Sequence, residues 1–386
     1  MALASAPFFT ESFDLQLNNL LLRICAELQL DETRYKLAEE RYKAVHRWLE
    51  VPGTLVANFR PLIYPQGSMK LNTTVRPLKG DEFDLDFVCE LVVDPRVVTD
   101  PLSLLRLVER RLRENATYNA MLQLKNRCVR LNYAHEFHMD ILPGCHDPNN
   151  GGTCIVVPDR AARSWKASNP KGFAEWFERR AAFTSPRRAL LARAEPIPDQ
   201  EAMDEKPPLK LTVQLIKRAR DIAYASTPEL SPISIVLTSL AGYTYTGQGS
   251  VAEAMDGVLA GIVAGIDRAY PKRLVVPNPS NKDEDLSERW DTDRTAYMAF
   301  VEGIRQFAAG WRQLRSESGL KNVAKNLERL FGEQLSQTVI EKQARDIEAA
   351  RTGQQITVKK SSGVIAGIAA SAAVHVPRNT FYGEEE

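Results

Sequence analysis

The sequence predicts an α+β protein of two lobes, in which a mixed-sheet core precedes a helical second half. Short apolar or alternating runs, separated by turn residues, fill the segment from about 54 to 143 and indicate strands. Long stretches with apolar residues three and four positions apart follow residue 209 and indicate helices. A chain of 386 residues, 44% of them hydrophobic, is large enough to bury a core in each lobe.

Two helices are expected before the sheet. In the first, apolar residues recur on one helix face at Leu17, Leu21, Ile24 and Leu28. Asp31 is a suitable cap for the second helix, which ends at the turn formed by residues 51–53.

The predicted sheet takes its strands from residues 83–92, 127–133 and 137–142, with one helix at about 101–113 and a last strand at 154–158. Residues 185–208 carry five prolines and many charges, which predicts an exposed loop. Five helical patterns follow, at 209–223, 233–243, 251–270, 294–315 and 321–350. We therefore expect N-terminal helices and the sheet core in residues 1–160, a helical lobe in 161–375 and a flexible tail in 376–386.

Composition excludes several classes of protein. The 50 basic and 49 acidic residues nearly cancel, whereas proteins that coat long nucleic acids usually have a basic excess. The five cysteines are odd in number and scattered, which is typical of reduced thiols in the cytoplasm. No signal peptide is recognisable, and the longest small-apolar stretch, 363–374, is too short to span a bilayer. We expect a cytoplasmic protein without a membrane partner.

The first candidate site residues are Gln66, Gly67 and Ser68. A glycine allows the backbone to approach a ligand closely, and a serine adds a hydroxyl donor. A helix beginning just afterwards would add N–H groups for an anion. The Gly-Ser pair is a weak signal by itself, and it gains weight from the carboxylates that follow it.

Asp84 and Asp86 are two residues apart in the apolar run at 83–88, so in a strand both carboxylates project from the same face. Two carboxylates this close repel each other unless a cation offsets them, and Mg²⁺ prefers oxygen ligands. A solvated strand face is the alternative. The apolar neighbours argue against it, because unpaired acids are costly inside a protein.

Asp140 is the third candidate ligand, on another apolar run that ends at Pro143-Gly144. Three carboxylates that bridge two metal ions suit in-line attack on an α-phosphate. Asp84 and Asp86 are expected to bridge both ions, while Asp140 completes the site that activates the attacking hydroxyl.

The pattern of Gly67-Ser68, Asp84-x-Asp86 and a strand-borne Asp140 resembles the active site of the polymerase β nucleotidyltransferase superfamily. Later segments are similar to bacterial relatives of cyclic GMP-AMP synthase and oligoadenylate synthase, the CD-NTases of CBASS antiphage operons. The resemblance covers nearly the whole chain, and the segments that carry it in addition to the aspartates are 157–177, 206–245 and 276–290.

This resemblance implies a polymerase β-like core, with the active site in the cleft opposite the helical lobe. It implies that NTPs, ATP or GTP or both, are joined with release of pyrophosphate into a cyclic oligonucleotide such as a cyclic dinucleotide. Two Mg²⁺ ions, with Mn²⁺ as a substitute, would serve as cofactors. The product would be a second messenger that activates an effector protein in antiphage defence.

The resemblance also assigns triphosphate contacts to Lys217 and Ser234. A lysine is a point charge suited to a β- or γ-phosphate, although Lys217 could instead belong to a solvated basic cluster with Lys210, Arg218 and Arg220. In the animal synthase an aromatic residue follows this serine and stacks on the base. Ile235 stands there in this chain, which leaves the choice of base open.

Several weaker signals have competing interpretations. Histidines and cysteines near Asp140 could suggest zinc, but no CxxC pair is present, and a strand face with partly exposed histidines is the simpler interpretation. His138 shares a strand face with Asp140 and is a candidate neighbour of the metal ligands. The aromatic group formed by Trp165, Phe173, Trp176 and Phe177 is better explained by helix packing between the lobes than by contact with a nucleobase.

The C-terminal tail ends in NTFYG followed by three glutamates. Related enzymes are joined through their C-terminus to other molecules by an E1/E2-like ligase, so such a ligase is an expected partner. The glutamate extension departs from that pattern, and it implies that the tail is trimmed or joined elsewhere.

Two rival functions remain open on the sequence. One is a superfamily relative that tails RNA or transfers a nucleotide to a macromolecule; the near-neutral charge argues against a long nucleic acid acceptor. The other is a nucleotide-binding scaffold without catalysis, which the presence of all three aspartates makes the weaker alternative.

Overall fold

The computed structural model describes residues 13–78, 82–134, 136–182, 197–317, 319–352, 357–359, 365–366 and 373–375. It confirms the predicted fold class, because a mixed sheet with packed helices precedes a second half built almost entirely of helices.

Seven strands form the main sheet. The path β1-β2-β5-β4-β3 runs across it, and β6 joins β5 to β7. β2 and β5 are parallel, while the other pairings are antiparallel. The strands are β1 Leu62–Pro65, β2 Phe83–Leu91, β3 Leu122–Leu124, β4 Val129–Tyr133, β5 Phe137–His146, β6 Ile155–Asp159 and β7 Ser164–Ser168.

Three helices cover the apolar face of this sheet: α2 (Glu32–Leu49), α4 (Leu102–Arg113) and α5 (Ala116–Met121). Asp31 caps α2 as expected, since its side chain accepts a hydrogen bond from the backbone N–H of Arg34. The short helix α3 (Gly67–Lys70) lies between β1 and β2.

The second half has its own hydrophobic core around Trp311, Phe300 and Phe331. Helix α1 (Phe13–Glu27) packs into this core, so the first helix of the chain belongs with the last ones. The remaining helices are α6 Pro170–Ala181, α7 Pro208–Ala223, α8 Ser234–Thr244, α9 Val251–Ala269, α10 Arg289–Thr292, α11 Arg294–Ser316, α12 Leu320–Phe331 and α13 Glu333–Thr352. A hairpin of β8 (Pro277–Asn278) and β9 (Asn281–Asp285) precedes α10.

The structure corrects two predictions about elements and adds a helix. The segment at 154–158 is not the last strand, because β7 pairs with it and extends the sheet. The helix predicted at 321–350 is two helices, broken at Gly332 with φ of 98°. Helix α5 was not predicted, and its six residues are too few for a periodic pattern to stand out.

The proline-rich segment at 185–208 is only partly described. Ile197 and Lys206 within it are buried, so its C-terminal end packs against the protein and is not an exposed loop. The tail at 376–386 lies outside the described residues, which include three short strands at Thr357–Lys359, Ile365–Ala366 and Ala373–His375. The division at residue 160 stays a prediction. None of the described helices is both long and apolar enough to cross a membrane.

Candidate active site

The alternation of β2 places two carboxylates on one face. Phe83, Leu85 and Phe87 point into the core beneath the sheet. Asp84 and Asp86 lie on the opposite face and line a cavity between the sheet and the helices of the second half. Burial of the apolar face of β2 therefore orients both acids towards the cavity.

The parallel pairing of β2 with β5 brings the third acid beside them. Asp86 is the register partner of Asp140, and Asp84 is the register partner of His138. Nε2 of His138 lies 2.9 Å from a Glu82 oxygen, and Nδ1 lies 3.5 Å from Asp84. His138 is thus a direct neighbour of the carboxylates, as its position before Asp140 had suggested.

Arg130 on β4 is a member of this site that the sequence did not predict. Its guanidinium donates two hydrogen bonds of 2.7 Å to the two oxygens of Asp140 and one of 3.2 Å to Asp84. This fork geometry is the strong form of an arginine–carboxylate pair. Arg130 sits on the polar side of the alternating strand β4, and that pattern is the signal that could have drawn attention to it.

Gly67 packs directly against Asp86. Its φ of 64° is in the left-handed region, and a Cβ added there would lie 2.6 Å from an Asp86 carboxylate oxygen. The backbone N–H of Gln66 donates to the carbonyl of Asp86 at 2.9 Å. Both observations place the Gln66–Ser68 backbone against the carboxylate strand, and they explain why no larger residue fits at position 67.

The loop after α3 is held by donors from α7. Lys217 Nζ lies 3.1 Å from the carbonyl and hydroxyl oxygens of Thr73. Gln214 donates to the Thr74 carbonyl at 2.7 Å. The Thr74 hydroxyl in turn donates to the Ser68 hydroxyl at 3.1 Å. The second half of the chain thereby sets the position of the predicted phosphate loop.

Lys217 is buried, with 4% of its surface exposed, and it lines the cavity. The solvated cluster considered as the alternative is therefore wrong, because Lys210 and Arg218 are buried as well. Burial and the nearby Arg220 lower the pKa of Lys217 to about 7, against the opposing effect of Asp221 and Asp86.

Ser234 begins α8 on the other side of the cavity. Its hydroxyl accepts a 2.8 Å hydrogen bond from Arg220, and Arg220 also pairs with Asp221 at 2.6 Å. Ile235 lines the cavity next to it. A hydroxyl, a guanidinium and an aliphatic side chain therefore stand together at this wall.

The cavity has a volume of about 1010 Å³, which is large enough for nucleotides. It is lined by all the predicted site residues except Asp140, which lies beside Asp86 and is covered by Arg130. The predicted members in its wall are Gln66, Gly67, Ser68, Asp84, Asp86, Lys217 and Ser234.

The carboxylates are electrostatically unfavourable to one another. Burial raises the pKa of Asp86 to about 8, and the carboxylates of Asp84 and Asp140 add to this. Burial also raises the pKa of Asp84, while Arg130 opposes the shift. Asp84 is the more open of these positions, with 56% of its side chain exposed.

These residues fit a hard divalent cation in their chemistry. Closely spaced carboxylate oxygens with raised pKa values are stabilised by added positive charge, and oxygen is the ligand that Mg²⁺ prefers. Within the described ranges no three His, Cys, Asp or Glu side chains are already arranged around a single point. At Asp140 the reason is visible, because both oxygens already accept hydrogen bonds from Arg130.

Cys145 and Cys154, which had suggested zinc, have structural surroundings of their own. Cys145 is buried in the core beneath the sheet. Cys154 contacts the Ser280 carbonyl and the Asn169 amide, and both contacts are typical of a structural thiol. Phe177 is buried and Trp176 packs on Tyr243, in agreement with the predicted helix packing, while Phe173 also lines the cavity.

Comparison with known proteins decides the family. The model of the Second Messenger Oligonucleotide or Dinucleotide Synthetase domain matches residues 15–180. A c-di-GMP synthase from Roseivirga ehrenbergii is 32% identical over 379 residues, which span 97% of this chain and 99% of the relative. The chain belongs to the bacterial CD-NTase family. This CD-NTase is a nucleotidyltransferase that condenses NTPs into a cyclic dinucleotide.

Further relatives agree with that assignment. The cyclic dinucleotide synthase CdnG of Bradyrhizobium diazoefficiens is 28% identical over 342 residues, with 83% of this chain and 81% of the relative covered. A solved structure of CdnG from that organism in complex with GTP matches with a TM-score of 0.70 and 26% identity, over 88% of this chain and 100% of the other. The cyclic AMP-GMP synthase DncV of Vibrio cholerae shares the fold, with a TM-score of 0.53, 16% identity and coverage of 85% and 93%. CD-NTases use divalent metal ions.

Proposed function

We propose that this CD-NTase converts GTP into a cyclic dinucleotide with Mg²⁺ held by Asp84, Asp86 and Asp140. The observation that carries the assignment of the carboxylates is the register of two parallel strands, which pairs Asp86 with Asp140 directly beneath the Gly67 backbone. Mn²⁺ is an expected substitute, because it also accepts carboxylate oxygens.

The donor triphosphate is assigned to the wall formed by Gln66, Gly67 and Ser68, with Lys217 and Ser234 opposite. Gly67 lets the backbone of this wall pack directly against Asp86, and the Ser68 hydroxyl is held in place by Thr74. Lys217 would supply positive charge from a buried position, where a charge acts more strongly than in water.

The acceptor ribose hydroxyl is assigned to the side of Asp140. Bound divalent cations would lower the pKa of that hydroxyl and neutralise the triphosphate. Arg130 must then share or give up Asp140, because both oxygens of this carboxylate accept from its guanidinium. The buried strand face beneath the acids keeps them in line with the phosphate loop.

Guanine is the proposed base, and GTP the proposed substrate, for two reasons. The relative from Roseivirga ehrenbergii is named a c-di-GMP synthase, and the related CdnG structure was solved in complex with GTP. The cavity wall also contains the carboxylate of Glu284, whose hydrogen-bonding capacity guanine can satisfy. ATP remains the competing substrate.

The wider biological role follows from the family. The product would activate an effector protein in antiphage defence, and an E1/E2-like ligase would act on the C-terminal tail. Residues 376–386 lie outside the described part of the chain, so the ligase stays a prediction.

Mass spectrometry of the products made from all four NTPs with Mg²⁺ tests the proposal. We expect a phosphatase-resistant cyclic dinucleotide that contains guanine and is lost in Asp84→Asn and Asp86→Asn. Asp94→Asn, a change of the same type at an exposed pair with Arg96, should retain activity. Incorporation of the nucleotides into a polymer would contradict the cyclase and favour an enzyme that tails RNA. Unchanged product in the Asp84 and Asp86 variants would contradict the assigned catalytic centre.

A further inference from the structure

Glu284 lies on β9 and lines the same cavity as the carboxylates of β2. Its carboxylate accepts hydrogen bonds from three neutral groups: the Asn278 amide at 2.6 Å, the Ser168 hydroxyl at 3.3 Å and the backbone N–H of Asn169. The side chain is therefore fixed in position in the cavity wall.

The Asn278 amide cannot take the opposite orientation. Its carbonyl oxygen already accepts from the backbone N–H of Ser280 at 2.9 Å and from the Ser280 hydroxyl at 2.8 Å. Its NH₂ group must then face Glu284, and Asn278 is only 4% exposed. This arrangement presents Glu284 to the cavity as a hydrogen-bond acceptor.

The other acidic side chains of the cavity wall have a different role, partner or degree of exposure. Asp84 and Asp86 belong to the catalytic centre, Glu82 pairs with His138, and Asp221 pairs with Arg220. Glu229, which also lines the cavity, is exposed. Glu284 forms no ion pair with any described residue, and Arg127 acts on it only at longer range.

An unpaired carboxylate repels phosphate, so the part of a nucleotide that meets Glu284 must carry hydrogen-bond donors. Guanine presents two donors side by side, N1–H and the N2 amino group, on its Watson–Crick edge. Adenine presents one donor there beside an acceptor nitrogen that a carboxylate would repel. Of the four bases, guanine is thus the best match for a fixed carboxylate.

We propose that Glu284 selects guanine by accepting hydrogen bonds from N1–H and the N2 amino group of a bound GTP. This inference rests on the proposed use of GTP and adds the residue that makes the choice. Asn278 and Ser168 act as positioning residues, because they hold the carboxylate without contributing charge.

The test compares wild type, Glu284→Gln and Asp283→Asn with GTP, ITP and ATP as substrates. ITP lacks the N2 amino group and is otherwise identical to GTP. Asp283 is the matched control, because it precedes Glu284 on β9, is exposed and does not line the cavity. Melting temperatures verify that each variant is folded.

We expect wild type and Asp283→Asn to prefer GTP over ITP by about tenfold or more in kcat/KM, as a hydrogen bond to a charged group predicts. In Glu284→Gln the kcat/KM for GTP should fall about a hundredfold, and the preference for GTP over ITP should shrink towards one. Use of ATP should be retained or increased, because glutamine offers both a donor and an acceptor.

Two results would overturn the inference while the proposed function stands. One is an unchanged ratio of GTP to ITP in Glu284→Gln. The other is an equal loss for all three nucleotides, which would place Glu284 at a ribose hydroxyl. If wild type forms no guanine-containing product, the proposed base choice fails and this inference fails with it. Glu284→Asp, which keeps the charge on a shorter arm, should retain part of the discrimination, and loss of all discrimination in it would contradict a charge-based role.

Discussion

At the residue scale, the active site depends on how closely Gly67 and Asp86 approach each other. The missing side chain at position 67 leaves room where a Cβ would lie 2.6 Å from a carboxylate oxygen. The same residue also has a left-handed backbone. A substitution there changes both the backbone conformation and the position of an acid, so the two effects have to be separated.

Gly67→Ala should lower kcat/KM by about a hundredfold or more, because displacement of a reacting group by even 1 Å has that cost. Gly53→Ala provides the control, since Gly53 also has a positive φ, of 83°, but a Cβ added there would meet no other atom within 4 Å. Gly53→Ala should lose stability on the order of 1 kcal/mol from its left-handed backbone, and Gly67→Ala should lose more, because Asp86 has to move as well. Steady-state kinetics and thermal melting distinguish them, and equal activity in the two would contradict the role of close approach.

Lys217 should make nucleotide affinity depend on pH. Its pKa in the free protein is about 7, and a bound triphosphate favours the charged form and raises that pKa. Binding therefore takes up a proton above pH 7, so affinity is greatest below pH 7 and falls as the pH rises. Calorimetric titration with a non-hydrolysable GTP analogue from about pH 6 to 9 measures this.

Lys217→Met should bind more weakly and lose this component of the pH dependence. Lys325→Met, at an exposed position of α12, should behave as wild type. A Lys217→Met variant with the wild-type pH profile would show that another group titrates.

The proposed metal site predicts that Arg130 and a divalent cation compete for Asp140. Removing the guanidinium in Arg130→Gln should lower stability in EDTA, because it leaves the carboxylates unpaired, and should tighten Mn²⁺ binding. Arg106→Gln, which breaks an exposed ion pair with Asp100, should change neither. Thermal melting and Mn²⁺ titration by electron paramagnetic resonance measure the two quantities, and weaker Mn²⁺ binding would contradict competition.

At the element scale, α7 controls the loop that follows α3. Gln214, Lys217 and Arg218 each contact a backbone carbonyl between residues 73 and 76. A loop held in this way keeps Ser68 in place through Thr74 and through its own backbone. The helix α7 therefore supports the loop that keeps Ser68 in place, and not all of these side chains take part in the proposed phosphate site.

Gln214→Leu should destabilise the protein by about 1–3 kcal/mol, because the Thr74 carbonyl is left without its donor. The KM for GTP should rise about tenfold, since the loop that carries the phosphate contacts is loosened. Gln306→Leu on the exposed face of α11 should have little effect on either. Urea unfolding and steady-state kinetics test this, and an unchanged KM in Gln214→Leu would show that the loop is held by other contacts.

Elements also show how far the sequence could predict this site. Asp84, Asp86 and Asp140 could be predicted because strand alternation and apolar neighbours are local signals. Alternation on β4 marks Arg130 as a polar-face residue, but its pairing with Asp140 could not be predicted, since that depends on the register between β4 and β5. The burial of Lys217 was hidden as well, because the two Thr73 oxygens that it contacts lie far away in the chain, beyond the reach of helical periodicity.

At the scale of the whole molecule, the nucleotide cavity is shared between two cores. Its wall takes residues from the sheet, such as Asp86, and from helices of the second half, such as Lys217 and Ser234. Arg127 on the sheet side pairs with Glu288 near α10, and Lys166 pairs with the same glutamate. A ligand bound in the cavity therefore contacts residues of both cores.

A GTP analogue should protect both cores from hydrogen exchange. Saturation at about a hundred times Kd should add about 2.7 kcal/mol to the stability of whatever unit the ligand binds. We expect slower exchange in α4 of the sheet core and in α11 of the helical core. Protection confined to one of them, measured by mass spectrometry, would contradict a shared site, and CTP at the same concentration serves as the control for weak binding.

The packing of α1 has a consequence for the order in which the protein folds. Arg23 and Glu27 of α1 form ion pairs with Asp346 and Lys342 of α13, and the paired residues are 323 and 315 positions apart in the sequence. Contacts of such high sequence separation form slowly, because the long loop between them has to close first. Asp86 and Asp140, which are register partners in the sheet, are much closer in sequence. We therefore expect the strands that carry the acids to pair before α1 and α13 meet.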